Sequence, residues 1–134
     1  DILHDHGRAI NPAIEKGQIE GGFVQGAGWL TIEEVKWKLN GELTTHSPST
    51  YKIPAVNDMP EKFIVKNFRN LNKENVVNKS KTTGEPPLML GMSVFFAIKD
   101  AISSTTNYKV IPKLNAPATP EAILLSINDI KNKI

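Results

Sequence analysis

Cysteine is absent from the 134 residues, which excludes disulfides and any iron–sulfur cluster ligated by this chain, since such clusters are held by cysteine thiolates. Histidine is scarce: His4, His6 and His46 are the only three. Without cysteine, a zinc site would need carboxylates at a spacing that does not stand out. His4 and His6 could share a strand face, but the plainer reading is two histidines near a strand end. An excess of charge of one sign is also missing, with 16 Lys and Arg against 14 Asp and Glu. The basic residues are interleaved with acids, so the net +2 leaves no footprint for nucleic acid. No run approaches the roughly 18 apolar residues of a membrane span. Asp1-Ile2-Leu3-His4-Asp5-His6 lacks the basic, apolar and small-residue zones of a signal peptide. There is no Gly-x-Ser-x-Gly elbow, no Cys–His pair and no Walker phosphate loop. Gly21, Gly22, Gly26 and Gly28 do not make a dinucleotide fingerprint.

What is present suits one soluble domain over residues 1–134, with 40% hydrophobic and 22% charged residues. The chain opens without Met, inside what reads as a strand, which suggests a piece of a longer protein. Ile2-Leu3-His4 reads as that strand. Asn11 as N-cap and Pro12 at the first helical position predict a helix. Ile14, Gln18, Gly21, Gly22, Gln25 and Gly28 fall roughly on one stripe of it, and its small residues imply close approach of another backbone or of a ligand. Tight helix–sheet packing and proximity to a cofactor remain open as explanations. Alternation from Thr31 to Lys38, then Asn40-Gly41, then Leu43-Thr44-Thr45, predicts a hairpin. Ser47 to Pro60 reads as an ordered loop, Phe63 to Phe68 as a strand and Asn70 to Lys79 as exposed chain. Leu88 to Ser104 has helical spacing, and Thr119-Pro120-Glu121 opens a terminal helix carrying Ile123, Leu124, Ile127 and Ile130. The fold class expected is α/β (α+β), a small mixed sheet with packed helices.

Gly84-Glu85-Pro86-Pro87 carries the chemistry. Two prolines fix φ near −65° and remove two backbone donors, so neither a helix nor a central strand can continue through Glu85. The carboxylate is presented at a turn near the positive N-terminal end of the long helix. That makes Glu85 a candidate base, against the plainer alternative of an acidic residue favoured at a helix entry.

Gly17-Gln18-Ile19-Glu20-Gly21-Gly22-Phe23-Val24-Gln25-Gly26, Pro48-Ser49-Thr50-Tyr51-Lys52-Ile53-Pro54 and Ser80-Lys81-Thr82-Thr83-Gly84-Glu85-Pro86-Pro87 occur in this order. Ser93 to Ala101 and Pro117-Ala118-Thr119-Pro120-Glu121 follow. Together they resemble the xanthine dehydrogenase and aldehyde oxidase family of molybdenum hydroxylases, and within it the C-terminal part of the molybdenum-binding subunit of bacterial xanthine dehydrogenases. The resemblance runs from Asp1 to about Ile123. It implies part of a molybdenum-cofactor-binding domain in a cytoplasmic enzyme that hydroxylates hypoxanthine and xanthine. Glu85 would be the general base beside molybdenum and Gln18 a contact to the molybdenum–pterin cofactor. An amide suits that contact, offering donors and an acceptor without adding charge to an anionic group.

Further expectations follow from the family. Iron–sulfur clusters and FAD would lie on other domains or subunits, and the partners would be a purine substrate, the upstream part of the same subunit and the iron–sulfur/FAD subunit. No nucleic acid or membrane is expected, and apolar faces left uncovered would favour a homo-oligomer. Lys81 reads either as an electrostatic aid to the cofactor or as a solvated loop lysine, while Ser49, Tyr51 and Lys52 receive no chemistry. Many relatives carry Ala and a branched apolar residue where this chain has Thr82-Thr83, which bears on substrate preference and leaves Glu85 in place. The remaining alternatives are an aldehyde or N-heterocycle oxidase of the same family, and a non-catalytic interaction domain.

Overall fold

The computed structural model describes all 134 residues. In chain order the elements are β1 (Ile2–His4), α1 (Pro12–Thr31), β2 (Val65–Asn67), α2 (Pro86–Met89), α3 (Met92–Ser104) and α4 (Pro120–Lys131). β1 and β2 pair in parallel, Ile2 opposite Val65 and His4 opposite Asn67. Parallel neighbours need a long crossover, and α1 with the loop after it provides one. The α/β expectation holds. The sheet, however, is two parallel strands and not a mixed one, and antiparallel pairing is confined to isolated bridges at Gly7–Ser80 and Trp37–Leu43.

α1 begins as expected: the Asn11 side-chain oxygen accepts from the N–H groups of Ala13 and Ile14 at 3.2 and 3.3 Å, satisfying donors that have no helical partner. Its glycines cost about 0.5–1 kcal/mol each relative to alanine. Burial compensates, because a fully buried Ile or Phe contributes about 1.5–3 kcal/mol. Ile19 and Phe23 pack with Ile2, Phe63, Val65 and Val94, and the Phe23 and Phe63 rings lie 5.2 Å apart. A second core joins α3 to α4 through Ile102, Leu114, Ala118 and Ile130. The Thr119 hydroxyl caps α4 by accepting from Ala122 N–H at 3.2 Å. Ala118 N–H donates to the Leu30 carbonyl at 2.7 Å, fastening this second core to the end of α1.

Three expectations need correcting. The helix expected over Leu88–Ser104 is broken: α2 ends at Met89, and α3 starts at Met92. Leu90 and Gly91 keep right-handed helical angles and join the two pieces by a tighter turn, with Gly91 N–H donating to the Leu88 carbonyl at 3.1 Å and Val94 N–H to the Gly91 carbonyl at 3.0 Å. Gly91 also lies so close to Gly26 and Ala27 that a side chain would overlap them, and Glu85 directly precedes the first, 4-residue piece. The hairpin starts later than the alternation suggests, because Thr31 still belongs to α1. Its ladder begins where Thr44 N–H donates to the Lys36 carbonyl and Lys38 N–H to the Glu42 carbonyl, both at 2.9 Å, around Gly41 at φ +84°. Finally, Pro86–Ser104, 19 residues long with a mean hydropathy of 1.2 over an 18-residue window, is long and apolar enough to cross a membrane by length and composition. In the fold this stretch is interrupted at Leu90–Gly91, contains Lys99 and Asp100, and packs on α1 and α4.

The glycines of α1 divide into two groups. A side chain on Gly22 would come within 3.0 Å of Pro87, and one on Gly26 would overlap the Leu88 carbonyl oxygen. Close approach is thus real, but the partner is the Pro86–Leu88 turn and not the sheet. Gly17 and Gly21, by contrast, have nothing within 4 Å of such a side chain. Gly26→Ala should destabilise the fold by about 1–3 kcal/mol, the range for overpacking. Gly17→Ala should be neutral or stabilising by about 0.5–1 kcal/mol. Urea unfolding of the two variants checks the contrast, and equal effects would show that the seam is not the constraint.

Candidate functional site

Packing α1 against the turn before α2 brings Gln18 close to the turn that carries Glu85. The Gln18 amide oxygen lies 3.9 Å from where a side chain on Gly84 would begin, directly before Glu85 in the chain. Both Gln18 and Glu85 are exposed. Gln18 sits between Gly17 and Gly21, which leave that part of α1 without side-chain cover. The amide on α1 and the carboxylate on the adjoining turn are thus both open to solvent. A partly open pocket of about 200 Å³ under the Pro54–Pro60 loop is lined by Phe23, Val24, Ile32, Pro54 and Val94 among others, and by neither Gln18 nor Glu85.

The loop leading to Glu85 is tied to the end of β1. Lys81 reaches Asp5 at 2.5 Å, so it is neither a free loop lysine nor a charge left over for a cofactor. Asp5 also accepts from Gly7 N–H at 3.0 Å and from the Asn70 amide at 3.1 Å. The Lys81 ammonium first, then the Gly7 N–H and the Asn70 amide, lower the Asp5 pKa from 3.8 to about 2. The folded value lies below the unfolded one. The contribution to stability is therefore present above 3.8 and is lost as the pH falls through about 2.

Beside Asp5, His6 contradicts the plain reading of two histidines near a strand end. Its Nδ1 lies 2.9 Å from Glu15 Oε2 with both side chains buried, a close polar contact without hydrogen-bond alignment. The other Glu15 oxygen accepts from Ile10 N–H at 2.7 Å. His4 is half-buried, and burial, then the neighbouring His6, lower its pKa, while Asp5 acts in the opposite direction.

Tyr51, to which the sequence assigns no chemistry, donates its hydroxyl to Glu33 at 2.6 Å. Glu33 is buried at the end of α1, and this hydrogen bond, foremost among the causes, raises the Tyr51 pKa. Gly28 gives the carboxylate room, since a side chain there would lie 2.5 Å from Glu33 and 2.4 Å from Pro54. Tyr51 thus fastens the Ser47–Pro60 loop to the helix end. Of the residues that sequence reasoning missed, Asp5 had a usable signal: Asp-x-Gly is a turn in which the carboxylate accepts from the N–H two residues on. For Glu15 and Glu33 only the fold supplies the partner.

Comparison with known proteins fits this geometry. Residues 1–60 match the molybdopterin cofactor-binding domain family. The chain is 46% identical to a xanthine dehydrogenase of Oryza sativa subsp. japonica over 96% of its own length and 10% of that protein's. It is 47% identical to the xanthine dehydrogenase/oxidase of Mus musculus over 92% of its length and 10% of that protein's, and 44% identical to a nicotinate hydroxylase of Emericella nidulans over 96% and 9%. Quinoline 2-oxidoreductase from Pseudomonas putida 86 superposes with a TM-score of 0.80 at 29% identity, covering 95% of this chain and 16% of that one. The family match over residues 1–60 and the shared fold identify part of a molybdopterin cofactor-binding domain. The chain belongs to the xanthine dehydrogenase and aldehyde oxidase family of molybdenum hydroxylases, and it spans about 10% of the length of these curated relatives.

The residues present fit the cofactor this family implies. The Gln18 amide, exposed on a face that Gly17 and Gly21 leave clear, would be available to the organic part of the cofactor. Two outcomes are expected from the site's ties. Tyr51→Phe leaves a buried carboxylate without its donor, a loss of about 1–3 kcal/mol, so protease cleavage within residues 47–60 should accelerate. Labelled carboxyl carbon at Asp5 should show no titration between about pH 5 and pH 3, where an ordinary Asp titrates; a midpoint near the ordinary value would mean the Lys81 contact is absent.

Proposed function

We propose that the full-length protein is a molybdenum hydroxylase of the xanthine dehydrogenase type, with Glu85 as general base and Gln18 as a cofactor contact. The observation that supports this reading is the meeting of Gln18 and the Gly84–Glu85 turn on one uncovered face, in a chain 46% identical to a xanthine dehydrogenase. When bound, the molybdenum–pterin cofactor supplies the oxygen that is inserted and accepts the two electrons removed from the substrate carbon. Glu85 takes up the proton released as the new carbon–oxygen bond forms, and the seam of Gly22, Gly26 and Gly91 fixes the turn from which it reaches. Its carboxylate makes no hydrogen bond or ion pair within this chain, so both oxygens are free to accept. Gln18 orients the cofactor by donating and accepting at its polar edge, without adding negative charge there.

Electrons would leave through iron–sulfur clusters and FAD carried by other parts of the protein or by a partner subunit. This stretch supplies the base and one contact and cannot enclose the cofactor; alone it should not turn over. Hypoxanthine and xanthine are the substrates favoured by the xanthine dehydrogenase relatives. A nitrogen-heterocycle substrate is the second reading, favoured by the 44% identity to a nicotinate hydroxylase. The same residues would perform the same proton transfer in either case.

Full-length, molybdenum-loaded enzyme assayed with an artificial electron acceptor tests both assignments. Xanthine should be oxidised, and Glu85→Gln should lower kcat roughly 10²–10⁴-fold, the usual contribution of a positioned base, with molybdenum content unchanged. Preference for nicotinate over xanthine would select the second reading. A Glu85→Gln enzyme as fast as the native one would remove Glu85 from the chemistry.

A further inference from the structure

The turn that carries Glu85 is held from two directions. On its C-terminal side Pro87 and Leu88 close against Gly22 and Gly26 of α1. On its N-terminal side the anchor is the short segment Asp5–Gly7. There Lys81 N–H donates to the His6 carbonyl at 2.9 Å and Arg8 N–H to the Lys79 carbonyl at 3.1 Å. Gly7 has φ +65°, and a side chain on it would overlap the Lys79 carbonyl oxygen. The last side chain fixed before Glu85 is Lys81, through Asp5; Thr82 and Thr83 make no side-chain hydrogen bond.

The same segment is fastened to α1 through the buried His6–Glu15 contact at 2.9 Å. Glu15 precedes Gln18 by three residues, close to one helical turn. Asp5–Gly7 therefore touches both the loop that bears the carboxylate and the helix that bears the amide.

We propose that Asp5, His6 and Gly7 form a brace that sets the placement of Glu85 relative to Gln18, with Asp5 and Lys81 acting as positioning residues. The proposal rests on the reading of Glu85 as the base. Energetics separate this role from a structural one. A half-exposed ion pair contributes little to global stability, yet a displacement of about 1 Å at a reacting group can cost roughly 100-fold in rate. The pair should matter far more to turnover than to folding.

The test uses full-length, cofactor-loaded enzyme in native form and as Asp5→Asn, Lys81→Met, their combination, Lys81→Arg and Glu85→Gln. The substrate is whichever of xanthine and nicotinate the native enzyme oxidises faster. Each single change at Asp5 or Lys81 should lower kcat roughly 10–100-fold, with KM and molybdenum content unchanged and only a small drop in melting temperature. The double variant should lose no more than either single one, because both break the same contact. Lys81→Arg should recover most of the rate. Independently of activity, amide hydrogen exchange in residues 82–85 should speed up in Asp5→Asn while α4 is unaltered. Unchanged exchange, or a loss of rate that follows molybdenum content or melting temperature, would overturn the brace. If Glu85→Gln stays active, the base assignment fails by itself, and the exchange measurement still decides whether Asp5 and Lys81 hold the turn.

Discussion

Three missing side chains govern the architecture around the candidate site. Because Gly22, Gly26 and Gly91 carry no Cβ, the backbone of α1 can lie directly against the turn between Glu85 and Met92. Any larger residue at Gly26 would meet the Leu88 carbonyl, and any at Gly91 would meet the backbone of α1. The seam runs past the point where what the sequence pattern presents as one long helix is interrupted, and it holds the Gly84–Glu85 turn close to Gln18. The glycines lower the intrinsic stability of α1, and Ile19 and Phe23 on its buried face make up the difference. One helix thus serves as core element, packing surface and carrier of the amide.

Polar ties complete what the seam begins. The strand end at Asp5–Gly7, the loop at Lys79–Lys81 and the start of α1 are linked by backbone hydrogen bonds, the Asp5–Lys81 pair and the buried His6–Glu15 contact. At the other end of α1, Tyr51 and Glu33 tie down the Ser47–Pro60 loop. The face bearing Gln18 and Glu85 is left free of such ties. Elsewhere large apolar side chains remain exposed, among them Ile14, Trp29, Trp37 and Leu39, as suits a chain that spans about 10% of the length of its relatives.

What could be read from the sequence was local. The caps at Asn11 and Thr119 were legible because the signal lies within three residues of the structure it produces, and both form as expected. Glu85 stood out through its prolines, and Gln18 through a motif shared with the family. The ties were not legible. Asp5 and Lys81 are separated by 76 positions, and neither residue type at its own position declares the other as partner. The interruption at Leu90–Gly91 was hidden too: Leu88 to Ser104 keeps its periodicity, and the close approach of Gly26 to Leu88 and Gly91 comes from another part of the chain. Tyr51 was visible as part of a motif, but its role depends on a carboxylate that only the folded helix end buries.

The central claim is that Gln18 and Glu85 flank one cofactor, and a structure of the full-length, cofactor-loaded protein tests it most directly. The account predicts the Gln18 amide within hydrogen-bond reach of the pterin–molybdenum group, roughly 3 Å, and the Glu85 carboxylate on the reacting side of the same group, within reach of the substrate-derived proton. A cofactor bound away from this face, with Gln18 and Glu85 both covered by other protein, would contradict it.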